Sequence, residues 1–160
     1  MAQQFPIGPS IGQVRGVLKV LNERGGRISI AQLADDINEN IDNLLPLLDV
    51  CEMLDAIKVD EGIISIRENG RKFDSESFID NARSRLRGIE PFKSAIAVLR
   101  KRELATPELA EELKKKGISF HMDSITNEEI LKSLMLGWGV RVGILHYDSE
   151  KDTWKAQPTL

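Results

Sequence analysis

Apolar positions in the first eighty residues recur first at helical and then at strand spacing, and that order sets the first expectation. Ser10 precedes Ile11, Val14, Val17, Leu18 and Leu21, which fall on one face of a helix that Ser10 can cap and Gly25-Gly26 ends. After Ile28 the pattern predicts a short helix with Leu33, Ala34 and Ile37 inward and Asp35, Asp36 and Glu39 outward. Asp42 or Asn43 is placed to cap a third helix over residues 43–54, with Pro46 in its first turn, where a missing N–H costs little. Residues 56–60 and 63–67 are β-branched runs around Glu61-Gly62, the pattern of a hairpin. Asn69-Gly70 marks another turn, and Phe78, Ile79, Ala82 and Leu86 then place a helix over residues 75–86.

The second half repeats the order. Phe92, Ile96 and Leu99 predict an amphipathic helix over residues 89–101. Thr106-Pro107-Glu108 opens the next, with Thr106 as cap, proline in the first helical position and an acid at the positive dipole end; Gly117 stops it. Thr126 and Glu129 form a capping-box pattern for a helix through Ile130, Leu134 and Trp138. Residues 139–147 and 153–157 predict a closing hairpin. The expected fold is therefore mainly α with short β-hairpins, of α+β class: tandem winged helix-turn-helix domains joined by a connector helix. An irregular arm covers residues 1–9, the first winged-helix domain 10–73, the connector 74–88, and a second winged-helix-like domain 89–160.

Charge then changes the functional expectation. The third helix stands where a winged helix places its groove-reading element, yet it carries Asp49 and Glu52, is flanked by Asp42 and Asp55, and contains no Lys or Arg. Affinity for a polyanion comes mainly from cations that neutralise phosphates, so this segment is repelled by DNA. Its eight apolar residues between Leu44 and Leu54 exceed a single stripe of about 100°. That predicts a helix buried on more than one side, against its own core and against a second domain or subunit, with Asp42, Asp49, Glu52 and Met53 as candidate protein-interface residues. Residues 1–80 hold 8 Lys and Arg against 14 Asp and Glu, and residues 81–160 hold 14 against 11, so the halves are oppositely charged. Opposite halves can attract each other or a partner's complementary patches.

DNA contact remains the alternative. A wing ending in Arg67, with Arg71 and Lys72 behind it, can reach phosphate, and Arg83, Arg85 and Arg87 make the connector basic. Aromatic residues are few and none interleaves with these arginines, which disfavours stacking on single strands.

Enzyme chemistry finds no footing in the sequence. There is no Gly-rich loop with a following lysine to cradle phosphates. His121, His146 and Cys51 lack metal-ligand spacing, and neither histidine neighbours a nucleophile motif. The adjacent pairs Asp35-Asp36 and Glu111-Glu112 point about 100° apart on a helix and are solvated faces. No catalytic residue, cofactor or metal is expected. A single cysteine, the lack of a leader pattern and the lack of an apolar run long enough to span a bilayer make a cytoplasmic, membrane-free protein the expectation.

One resemblance covers residues 10–157. Gly12-Gln13-Val14, Gly16-Val17-Leu18, Val20-Leu21, Gly25-Gly26, Leu33-Ala34-Asp35-Asp36, Leu44-Leu45-Pro46, Met53-Leu54 and Gly70-Arg71 with Phe73 resemble the C-terminal AAA-associated domain family. The likeness thins to Trp138-Gly139 and Tyr147-Asp148 in the second half. That family accompanies ATP-binding subunits of nitrate/sulfonate/bicarbonate-type ABC transporters and also occurs as a separate archaeal protein. The resemblance implies a non-catalytic accessory or regulatory module that works with a transporter ATPase subunit, and the over-apolar third helix adds a second copy of the chain as the other expected partner. The rival is a DNA-binding transcriptional regulator; a sensor of an unidentified small ligand is a third reading.

Overall fold

Apolar periodicity and turn chemistry build an α+β protein. The computed structural model describes residues 3–158, and among these lie eight α-helices and two small antiparallel sheets. No helix among the described residues is long and apolar enough to cross a membrane. Contacts gather into two compact units: Pro6–Ala82, and a second formed by the chain through Phe5 together with everything from Arg83 onward.

In the first unit, α1 (Ile11–Glu23) buries Ile11, Val14, Val17, Leu18 and Leu21. Ser10 and Gln13 cap it reciprocally: Ser10 Oγ accepts from the Gln13 N–H at 3.1 Å, and Gln13 Oε1 accepts from the Ser10 N–H at 2.9 Å. Gly16 lies on its exposed side, with open space where a Cβ would stand. Gly16→Ala is expected to raise the stability of this unit by about 0.5–1 kcal/mol, checked by urea unfolding, because alanine narrows the unfolded chain without meeting anything.

Gly25 and Gly26 hold φ of 82° and 83°, and the chain returns as β1 (Arg27–Ser29). This strand is absent from the sequence expectation; three residues carry too short a period to see. It pairs with β3 (Ile63–Ile66), which also pairs with β2 (Ile57–Asp60), giving the order β1-β3-β2 with Ile28 opposite Ile64. The β2–β3 turn is the expected one, with Glu61 and Gly62 both at positive φ (49° and 77°). Between β1 and β2 come α2 (Ile30–Asp36) and α3 (Ile41–Met53).

α3 starts before the expected position. Asn40 is its cap, accepting from the Asp42 N–H at 2.9 Å, so Pro46 lies in the second turn and the helix forgoes one backbone hydrogen bond there. Asn69 and Gly70 fall in a short helix, α4 (Glu68–Arg71), rather than an open turn. α5 (Glu76–Leu86) follows, with Phe78, Ala82 and Leu86 buried. Arg15 Nε donates to the Phe73 carbonyl at 3.0 Å and its guanidinium lies 5.7 Å from the Phe78 ring centre, tying α1 to the entry of α5.

The second unit contains α6 (Phe92–Leu99), α7 (Thr106–Lys115), α8 (Ser124–Leu134) and the hairpin β4 (Leu145–Asp148) with β5 (Thr153–Ala156). α6 is shorter than expected, since Pro91 occupies its capping position and biases the residue before it away from helix. α8 begins at Ser124 because Asp123 caps it, accepting from the Thr126 N–H at 2.9 Å and the Thr126 hydroxyl at 2.8 Å. A π-helical segment, Met135–Val140, continues it. Strand β4 starts only at Leu145, whose side chain fills the space where a Gly139 Cβ would stand.

Phe5 is buried edge-on to Phe92 and Trp138, with ring centres 5.5 and 4.9 Å away, and Glu90 bonds the Gln3 carbonyl and the Phe5 N–H at 2.8 Å each. Leu104, between α6 and α7, exchanges backbone bonds with Trp154 of β5.

Candidate functional site

α3 divides sharply. Leu44, Leu47, Leu48, Val50 and Cys51 are buried against the first unit's own core. On the other side Ile41 is 44% exposed and Leu45 43%. With 3.6 residues per turn, Ile41, Leu45 and Glu52 fall within about 40° of one another, and Asp49, Asp42 and Met53 extend the arc to about 120°. Asp42, Asp49 and Glu52 are exposed and Met53 is half-buried. The four candidate interface residues thus share one face, which has aliphatic side chains set among three carboxylates and no cation. Sequence reasoning registered the surplus of apolar residues but missed that Ile41 and Leu45 are the outward ones. The earlier start of the helix is what brings Ile41 onto this face.

The basic candidates fall in both units, and Arg67, Arg71, Lys72 and Arg83 are engaged. Arg67 Nε lies 3.0 Å from Asp55 Oδ1, Lys72 Nζ 4.0 Å from Glu68 Oε1, and Arg71 Nη1 donates to Asn22 Oδ1 at 3.2 Å. Exposed pairs of this kind contribute little stability, yet the Arg67 and Lys72 pairs each set a carboxylate beside a cation that phosphate would have to approach. Arg83 Nε donates to the Val142 carbonyl at 2.7 Å, Arg85 is exposed and Arg87 half-buried.

A polar cluster that the sequence reading did not anticipate sits in the second unit. Ala105, not Thr106, is the capping residue of α7, and its side chain has no oxygen to offer. Asp152, from the β4–β5 turn, fills that role: its carboxylate accepts from the Thr106 N–H at 3.2 Å, the Thr106 hydroxyl at 2.5 Å and the Tyr147 hydroxyl at 2.7 Å. The Trp154 indole N–H donates to the Thr106 oxygen at 2.8 Å in buried surroundings, and Lys132 Nζ lies 5.2 Å from the Tyr147 ring centre. Burial pushes the Asp152 carboxyl up, but its bonds from Thr106 and Tyr147 outweigh that and hold it below its ordinary value. The cluster staples a helix N-terminus to a hairpin. Its adjacent Asp148–Asp152 turn was legible, but which helix it would cap was not.

Reactive groups lie elsewhere or are inert. Burial pushes the Cys51 thiol up to about 12, so a nucleophilic thiolate is not available at neutral pH. His121 Nδ1 accepts from the Asp123 N–H at 3.0 Å, and His146 is exposed on β4. Among the described residues, no group of three or more His, Cys, Asp or Glu side chains is disposed to hold a metal.

The family model for the C-terminal AAA-associated domain matches residues 31–148, well over half of the chain and spanning both units. No curated protein and no solved structure matches the chain.

Proposed function

The chain belongs to the C-terminal AAA-associated domain family, and from that premise we propose that it is a non-catalytic accessory module acting through protein contacts with an AAA- or ABC-type ATPase. We read it as tandem winged helix-turn-helix domains over residues 10–73 and 89–160, with residues 74–88 as connector. The order α1-β1-α2-α3-β2-β3 and the sheet order β1-β3-β2 support that reading in the first unit. In the second, Leu104 lies between two helices and bridges the hairpin's second strand, as β1 does. Its place of action is the cytoplasmic side, where a transporter ATPase subunit works.

The exposed face of α3 carries the proposal. A helix that displays Ile41 and Leu45 between Asp42, Asp49 and Glu52 suits a protein surface with an apolar centre and a basic rim, and is repelled by a phosphate backbone. Co-purification with an ABC-type ATPase subunit tests it. Replacing Asp49 and Glu52 with lysine is expected to weaken capture by roughly tenfold or more, through like charges at the rim. Retardation of duplex DNA at low salt that disappears on changing Arg67, Arg71 and Lys72 to alanine would install the DNA-binding reading instead.

A further inference from the structure

The second unit carries a surface whose chemistry is the counterpart of the α3 face. Residues 99–103, leaving α6, and residues 155–158, at the end of β5, line a shallow groove of about 380 Å³. Arg100, Lys101, Arg102 and Lys155 stand exposed along it, against one carboxylate, Glu103. Leu99, Ala156 and Pro158 supply its apolar lining. Arg102 reaches Glu112 at 3.5 Å, whereas Lys101 and Lys155 have no ion-pair partner among the described residues.

We propose that the α3 face of one copy of this chain docks into this groove of a second copy, Ile41 and Leu45 meeting the apolar lining while Asp42, Asp49 and Glu52 meet its cations. Charge complementarity selects the occupant. The unit bearing α3 holds 8 Lys and Arg against 14 Asp and Glu, and the unit bearing the groove holds 14 against 11, so copies attract by unlike units. Nucleic acid is the poorer fit, because the groove offers no aromatic ring for a base to stack on. The contact is heterologous, so it closes as a reciprocal dimer or propagates as a chain. The inference rests on the reading of the α3 face as a protein-docking surface, and makes a second copy and the ATPase competitors for it.

Two charge-reversed variants test it by sedimentation velocity: Asp49→Lys with Glu52→Lys on the face, and Lys101→Glu with Lys155→Glu in the groove. Wild type is expected to self-associate, more weakly as salt rises. Each variant alone is expected to associate at least roughly tenfold more weakly, and an equimolar mixture to recover association, since both contacts in the mixture again join opposite charges. Zero-length carbodiimide cross-linking of an isotopically mixed wild-type sample adds a readout that needs no variant: links between copies should join Asp49 or Glu52 to Lys101 or Lys155. A wild type that stays monomeric at every concentration, a mixture that does not recover, or a groove that retains nucleic acid while the protein is monomeric overturns the proposal. Loss of ATPase capture by the face variant alone, with wild type monomeric, refutes self-docking and leaves the accessory reading standing. Capture indifferent to the face variant refutes the reading of the α3 face as the docking surface, and no capture of an ATPase subunit at all refutes the accessory reading itself.

Discussion

Gly70→Ala is expected to destabilise the first unit by about 3 kcal/mol, the upper end of the usual cost of forcing one methyl into a packed interior. The cause is space, not backbone conformation, because Gly70 does not adopt positive φ. A Cβ there would overlap the Ala56 carbonyl oxygen and come within 2.8 Å of Ile66 Cγ1. Neither can yield readily. Ala56 is wholly buried and its carbonyl accepts from the Arg67 N–H at 2.8 Å, while the Ile66 N–H is bound to Gly26 at 2.7 Å. Both tryptophans belong to the second unit, so their emission is a poor reporter here. Hydrogen exchange at the Ile64 and Ile66 amides is the measurement, with faster exchange expected. Gly62→Ala is the comparison: that residue has φ of 77° and nothing near its would-be Cβ, so only the left-handed backbone is penalised, by about 1–2 kcal/mol. Unchanged exchange in Gly70→Ala would mean that the α4 turn shifts away from β2 at no cost.

Asp152→Ala is expected to cost the second unit about 2–4 kcal/mol. It removes the acceptor for three donors at once, and Thr106, which contributes two of them, is only 5% exposed. Trp154 hydrogen-bonds to Thr106, so a urea titration followed by tryptophan emission reports on the cluster directly. Acid should mimic the substitution. The folded carboxyl is held below the ordinary aspartate value of about 3.9. Its contribution is therefore fully present above that value and is lost as pH falls through the lower folded value. The wild-type and Asp152→Ala stability curves should converge as the solution is acidified. Asp152→Asn keeps an acceptor without a titrating charge, so it should fall between them near neutral pH and show a flatter acid limb. Parallel wild-type and alanine curves down to low pH would sink the assignment of this carboxylate as the cap of α7.

Where the elements lie was largely readable along the chain, because helical and strand periods are local properties of side-chain order. Ile11, Val14, Val17, Leu18 and Leu21 announce α1, and Glu61-Gly62 announces the β2–β3 turn. Where elements start was read less well. Asn40, Ala105 and Asp123 are the caps, in place of Asp42 or Asn43, Thr106 and Thr126. Several nearby oxygens can cap a helix, and the choice depends on which backbone amide the folded chain presents to each. The three-residue β1, the seat of Phe5 between Phe92 and Trp138, and the joining of Asp152 to Thr106 join residues far apart in sequence, so no local period encodes them.

By itself the sequence determined the sign of each half's charge, the acidic character of α3 and its surplus of apolar residues, since these are counts that folding cannot alter. Only the tertiary structure decided which of those residues face outward. Core packing takes Leu44, Leu47, Leu48, Val50 and Cys51 and leaves Ile41 and Leu45 exposed among the carboxylates. The same holds for the basic groove: Lys101 and Lys155 are 54 positions apart in sequence and line one surface only because β5 returns beside the end of α6. Composition fixes how much charge and apolar surface a chain has, but burial is a competition among all its elements for one core, and its outcome is set only when they pack.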